Sequence, residues 1–375
     1  MRRIALAFVL CALGCAAPAT ASAATLHIEG RGFGHGIGMS QWGTYGYVTK
    51  GGRHYNWVLA HYYPGTKRER VASRTVRVLL KSSSSQKVCG ADVAVGGGRK
   101  VRLRSTRAYR VYMSGGALRL YDTTAHRTKT RLKAPVRVSG GASVCLGGKA
   151  ENGVSDGFYR GDILLSPNGS SLDAINRLPV ERYLYGVVPA EMPSSWPVEA
   201  LKVQAVAARS YALRSLKPSE RYDMFADVRS QVYRGVAGEV ASSSAAVGAT
   251  RGIVLTYGGQ IAHTYFFSTS GGRTANIEDE WDAAPIAYLR SVADDYDYVS
   301  PVHTWSLDVP FSKADSALGD LVRGDLEDVR VVDRNASERA HTIEVVGSKG
   351  TRSTTAAVIR TRLGLRSTWF YLSKR

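Results

Sequence analysis

Cysteine is scarce in this chain: 375 residues carry four. Two of them, Cys11 and Cys15, fall in the N-terminal stretch, and none follows Cys145. Neither Cys89 nor Cys145 has a C-x-x-C partner, which argues against a thiolate zinc site. His35 and His263 find no clear third ligand, so neither metal nor cofactor is expected. Long apolar runs are missing after the first residues, which excludes a later membrane-spanning helix. The glycine-rich runs lack G-K-[ST] and do not follow a strand within a βαβ unit, which excludes a phosphate loop and a dinucleotide turn. The serines of the 263–274 segment lack the G-x-S-x-G elbow that would support a serine nucleophile there. Acidic residues are in deficit as well: 31 Asp and Glu face 50 Lys and Arg, a formal charge of +19.

What is present begins with Arg2 and Arg3, an apolar run over residues 4–13, and Ala21-Ser22-Ala23. This order predicts a secretory signal peptide over 1–23, too short for a membrane anchor. Ala12 stands where a lipoprotein signal usually has Leu, which weighs against a lipid on Cys15. Cys89 and Cys145, alone in an exported chain, favour one disulfide closing a small β unit; two buried thiols are the alternative. A basic exported protein meets the anionic polymers and phospholipids of a cell envelope rather than nucleic acid. A hydrophobic content of 44% is enough for a packed core.

Residues 24–66 are rich in Gly, His, Tyr and Trp, with Ser40 placed to cap a helix over 42–49 and a second helix over 55–62. Residues 67–155 read as a β-rich module, with short alternating runs at 75–80, 93–95, 100–104, 109–113, 118–121 and 136–138 separated by Gly and Ser clusters. Residues 156–375 read as a mixed core. Strands are expected at 159–165, 171–175, 253–257 and 261–268, and an apolar strand at 180–188. The main helix is expected over 197–216, with Leu201, Ala205, Ala208 and Ala212 on one close-packing face. Another helix is expected over 239–250. Strands near 329–333 and 342–346 precede a short helix over 354–363. The elements are not in βαβ rhythm, so the class is α+β: one long helix on mixed strands, plus the β module.

Four constellations carry chemistry. Glu191 stands where the apolar strand meets the main helix, between Val187-Val188-Pro189-Ala190 and Met192-Pro193-Ser194-Ser195-Trp196-Pro197. Glycosidases commonly need two carboxylates. One suffices when the sugar's own C6 hydroxyl attacks the anomeric carbon, because a single acid/base can take one proton and supply another. Burial beside Met192 and Trp196 would raise the pKa of Glu191, and a helix N-terminus would lower it; the sequence leaves the sign open. The plain alternative is a capping or ion-paired Glu, which is how Glu199 reads in the helix's first turn. The second constellation is Gly34-His35-Gly36-Ile37-Gly38-Met39-Ser40-Gln41, where glycines allow close approach and His35, Ser40 and Gln41 offer polar groups. The third is Ser268-Thr269-Ser270-Gly271-Gly272, an open turn that can hydrogen-bond sugar. The fourth holds Gln231 and Tyr233, suited to amide hydrogen bonds and ring stacking, and equally ordinary in a loop.

Together these segments resemble the SpoIID/LytB family, the stage II sporulation protein D and amidase-enhancer group. The resemblance rests on residues 181–193, 199–211, 230–233, 268–274, 34–41 and 363–370, most of the chain after the signal. It implies a peptidoglycan lytic transglycosylase that acts on glycan strands stripped of stem peptides, with Glu191 as acid/base and Arg209 among the substrate-binding residues. Many members place the G-H-G-x-G-M-S-Q segment after the S-G-G turn, whereas here it comes first, like a circular permutation. The resemblance then implies that His35–Gln41 folds beside Ser270–Thr274. Some members bind zinc through core cysteines, which this chain lacks. The amidase-enhancer branch implies the alternative of a non-catalytic wall-binding partner of an amidase. A structural envelope protein that uses its β module to bind other proteins is a third reading.

Overall fold

The computed structural model describes residues 24–375. The expected signal peptide, with Cys11 and Cys15, lies outside them. The alternation seen from residue 75 onward builds two sheets. One has seven strands, in the order Met224–Phe225, Thr75–Ser83, Ser171–Pro179, Asp162–Asn168, Val136–Ser139, Val93–Gly96 and Arg99–Arg102. The other has six: Arg127–Leu132, Ala117–Asp122, Ala108–Ser114, Ser85–Cys89, Val144–Lys149 and Ser155–Tyr159. Val76, Val78, Val111, Leu118, Leu120 and Ile163 point inward and are fully buried, as period-2 alternation on a half-buried sheet requires. Cys89 and Cys145 face each other on adjacent strands and form a disulfide, Cα to Cα 4.9 Å.

The boundary expected at residue 155 cuts through this structure. The segment read as one strand over 159–165 divides: Ser155–Tyr159 joins the six-stranded sheet and Asp162–Asn168 the seven-stranded one. At the other limit, Lys67–Arg70 leaves the module altogether and pairs with Ile253–Tyr257. The module and the helical region also share one apolar core that runs from Val76 through Leu184 and Leu201 to Val254. The observed class is mixed α+β.

The helices are α1 (Gln41–Thr49), α2 (Tyr55–Tyr62), α3 (Val180–Glu191), α4 (Val198–Arg214), α5 (Ala241–Ala249), α6 (Ile277–Glu280), α7 (Phe311–Leu318) and α8 (Ala356–Leu363). Ser40 caps α1, its hydroxyl accepting from Gly43 N–H at 3.0 Å. The expected strand at 180–188 is instead α3. Val180, Tyr183, Leu184, Val187 and Val188 are all buried, and their i, i+3, i+4, i+7, i+8 spacing is that of one helical face rather than a strand. In α4, Leu201, Ala205, Ala208 and Ala212 are buried, which lets α3 and α5 pack closely. The strand expected over 261–268 shrinks to Gln260–Ile261 and Phe266–Phe267. Its intervening backbone is engaged by neighbours: Tyr265 C=O accepts from Met39 N–H, and Ser268 C=O from Trp42 N–H. A separate cluster of apolar side chains lies around Thr25–Arg31, which is flanked by Thr304–Pro310 and Phe370–Lys374.

Candidate functional site

Glu191 is the last residue of α3. Pro189 removes a backbone donor in the final turn and Met192 turns extended, so the helix stops here. Pro197 then opens α4. The acid therefore sits at a helix C-terminus, where the helix dipole favours the protonated form, and not at a strand end. Its carboxylate is partly buried and accepts one hydrogen bond among the described residues, from Val232 N–H at 2.7 Å. Burial pushes its carboxyl up to about 7, against the opposing Val232 bond. A carboxyl of that kind can both give and take a proton near neutral pH.

The surroundings come from distant parts of the chain. Gln41 donates from Nε2 to Glu191 C=O at 2.8 Å, which fastens the start of α1 to the end of α3. Trp196 packs against Trp42 at 4.9 Å and Tyr45 at 4.7 Å between ring centroids. All three rings are half-exposed. Ser268, whose carbonyl binds Trp42 N–H, is half-exposed beside them.

Several expected sugar contacts are occupied by the protein itself. Arg209 is 0% exposed, and its guanidinium forms a two-pronged pair with Glu181 at 2.8 Å on each prong. It binds the core and has no face open to a ligand. Tyr233 is 1% exposed and donates to Asn176 Oδ1. Gln231, equally buried, accepts from Tyr183 Oη at 3.2 Å. The 230–233 segment thus reaches Glu191 through the Val232 backbone and not through its side chains.

Ser40, Ser270 and Gly271 converge on Asp297, a fully buried residue that sequence reasoning missed. Its Oδ1 accepts from Ser40 Oγ and Ser270 N–H, and its Oδ2 from Gly271 N–H and His303 Nδ1, all at 2.9 Å. The acids at 294, 295 and 297 offered no pattern that would single it out. Asp294, next to it, has its carboxyl pushed up to about 8 by burial and then by the Asp297 charge. Gly272 is half-exposed, and its N–H donates to Ser270 Oγ at 3.1 Å. The glycine-rich segment does lie against this turn: Phe33 pairs with Thr269, Ile37 with Ala275, and Met39–Ser40 with Phe266–Phe267. Its glycines admit protein rather than ligand. Gly38 has φ +76, and a Cβ there would stand 2.3 Å from Tyr265 C=O. His35 packs on Phe267 and Trp281, and burial, then Arg360, lowers its pKa to about 4, so the ring is neutral.

Glu199 is structural, as its position in the first turn of α4 suggests: it accepts from Tyr55 N–H and Lys202 Nζ. Burial opposes its ionisation, yet these donors hold it below the usual carboxylate range. No group of three or more His, Cys, Asp and Glu able to hold a metal occurs among the described residues.

Residues 168–257 match the family described as Stage II sporulation protein. The chain is 37% identical over 146 residues to an uncharacterized protein of Brachyspira hyodysenteriae, covering 36% of this chain and 39% of that protein. It is 28% identical over 214 residues to Stage II sporulation protein D of Bacillus subtilis, covering 52% and 61%. It is 33% identical over 141 residues to an amidase enhancer of the same organism, covering 37% and 19%. In each case the chain spans less than two thirds of the relative's own length. These matches support membership of the SpoIID/LytB family.

Proposed function

We propose that this protein is an exported peptidoglycan lytic transglycosylase. It cleaves the MurNAc–GlcNAc bond of glycan strands whose stem peptides have been removed, with Glu191 as the acid/base. The observation that carries this reading is the carboxyl of Glu191. It is half-buried at the end of α3, has a single hydrogen-bond donor among the described residues, is pushed up to about 7, and lies close in sequence to the half-exposed Trp196. In the reaction the bond between C1 and the O4 of the leaving sugar breaks, and a bond between C1 and the same muramoyl residue's O6 forms. The proton leaves O6 and one arrives on O4, so Glu191 ends in the protonation state in which it began and no water is consumed. Trp42, Tyr45 and Trp196 supply a surface on which sugar rings stack.

The names of the relatives support a role at the cell wall, and the N-terminal signal pattern supports an extracytoplasmic location. The partners are then glycan strands, the anionic envelope surface and a cell-wall amidase.

The test is digestion of peptide-free glycan strands by the wild-type protein and by Glu191→Gln, read by mass spectrometry. Ends of 1,6-anhydro-MurNAc from the wild type alone are expected. Hydrolysed reducing ends would sink the mechanism. Strands bound but uncut would favour an amidase enhancer instead.

A further inference from the structure

The charge of this protein is unevenly placed. Between Thr75 and Lys149 the only acids are Asp92 and Asp122. Asp122 is buried and paired with Arg107. The outer face of four neighbouring strands of the six-stranded sheet carries no acid: Ser85–Cys89, Ala108–Ser114, Ala117–Asp122 and Arg127–Leu132. Across it, Lys87 stands opposite Arg110, and Arg119 opposite Arg131. Tyrosines alternate with these cations: Arg110 faces Tyr121 and Tyr112 faces Arg119.

Like charges directly opposite on adjacent strands destabilise a sheet, yet this face keeps two such pairs. None of Lys87, Arg110, Arg119 and Arg131 belongs to an ion pair among the described residues. Arg119 donates from Nη1 to Tyr112 Oη at 3.5 Å, while its Nε is buried without a hydrogen-bond partner among the described residues. Arg110 and Arg119 instead flank the Tyr112 ring, at 5.7 and 5.9 Å from its centroid. Four strands at a spacing of about 4.8 Å make a track of about 15 Å, longer than a single small anion. Its repeat of cation and ring suits a polymer that alternates carboxylate and sugar.

We propose that this basic, tyrosine-lined face binds the anionic glycan strand at a distance from Glu191. The inference rests on the proposed substrate. Once the stem peptide is gone, every muramoyl residue ends in a free lactyl carboxylate, so a stripped strand is a polyanion and an unstripped one is not charged in that way. The face thereby selects stripped strands and holds them to the enzyme.

The test uses the mature protein carrying Glu191→Gln, so that strands are not cut, with and without Lys87→Gln, Arg110→Gln and Arg131→Gln. Binding of fluorescent peptide-free strands is measured by anisotropy at low and moderate salt. Strands with carboxylates capped as methylamides, poly(glycerol phosphate) and phosphatidylglycerol vesicles are run in parallel. The triple substitution is expected to weaken strand binding tenfold or more. Capping the carboxylates should do the same, and rising salt should narrow the difference. The thermal midpoint should hold or rise, because repulsion is relieved. Unchanged strand binding by the triple variant, or equal binding of capped strands, overturns the inference. So does tighter, triple-sensitive binding of the phosphate polymer or the vesicles. A wild type that binds strands in this way but cuts none sinks the proposed activity alone. A wild type that cuts, with binding indifferent to the three cations, sinks this inference alone.

Discussion

At Glu191 two opposing influences meet, and burial outweighs the hydrogen bond. The folded carboxyl is raised from 4.5 to about 7, so the fold prefers it protonated. That preference is fully present below about pH 4.5 and is lost as pH rises through about 7. Glu191→Gln, which cannot ionise, should therefore flatten the decline in thermal midpoint over this range. Midpoints of the two proteins measured from pH 4 to 8 check this; parallel curves would contradict it. The same substitution should lower glycan cleavage by about 10²–10⁴-fold, the usual share of an acid/base group. Wild-type cleavage should fall above pH 7 as the acid form disappears. Arg209 belongs to stability rather than binding. Arg209→Met strands the Glu181 charge in the core and should cost about 3–5 kcal/mol by denaturant titration. A loss of strand affinity without loss of stability would restore it to the site.

At the level of elements, the site is a meeting of ends. The end of α3 is tied to the start of α1 by Gln41, and the irregular turn at Ser270-Gly271-Gly272 is held by Asp297. Gly38 shows how tight the fit is. Its φ is +76, and Tyr265 C=O lies 2.3 Å from the point a Cβ would occupy. Gly38→Ala therefore combines a strained backbone with a clash. It should destabilise by more than about 1 kcal/mol in a denaturant titration. Asp297→Ala leaves Ser40, the 270–271 amides and His303 without their acceptor. Hydrogen exchange should then rise at Ser270 and Gly271 before it rises in the two large sheets.

For the whole molecule, two features bind the parts together. Asp294 accepts from Tyr62 of α2 while lying next to the Asp297 anchor. Its carboxyl, raised to about 8 chiefly by burial, stays neutral at pH 7. Its preference for the neutral form is lost as pH rises through 8, so the protein should unfold more easily at pH 9 than at pH 7. Asp294→Asn should remove most of that alkaline loss in a melting series. The Cys89–Cys145 bridge closes a loop of 56 residues in sequence separation. Reduction should cost about 2–4 kcal/mol, seen as a lower midpoint under a strong reductant.

The sequence by itself determined the elements whose patterns are local. The α1 cap at Ser40, the extent of α2, the buried face of α4 and the alternating strands of the two large sheets all follow from spacing within a few residues. It also singled out Glu191, because an acid amid Pro, Met and Trp is rare enough to stand out. It misjudged α3, where an unbroken apolar stretch hides helical spacing behind apparent strand character, and it misplaced the module boundary, since sheet partners lie far apart in the chain. Only the tertiary structure decided which polar residues remain free. Arg209, Gln231, Tyr233, Ser40 and Ser270 have the chemistry of sugar contacts, but each is satisfied by a partner from another segment. Burial and pairing are properties of the assembled chain, so neither these losses nor the sign of the Glu191 shift could be read from residue types alone.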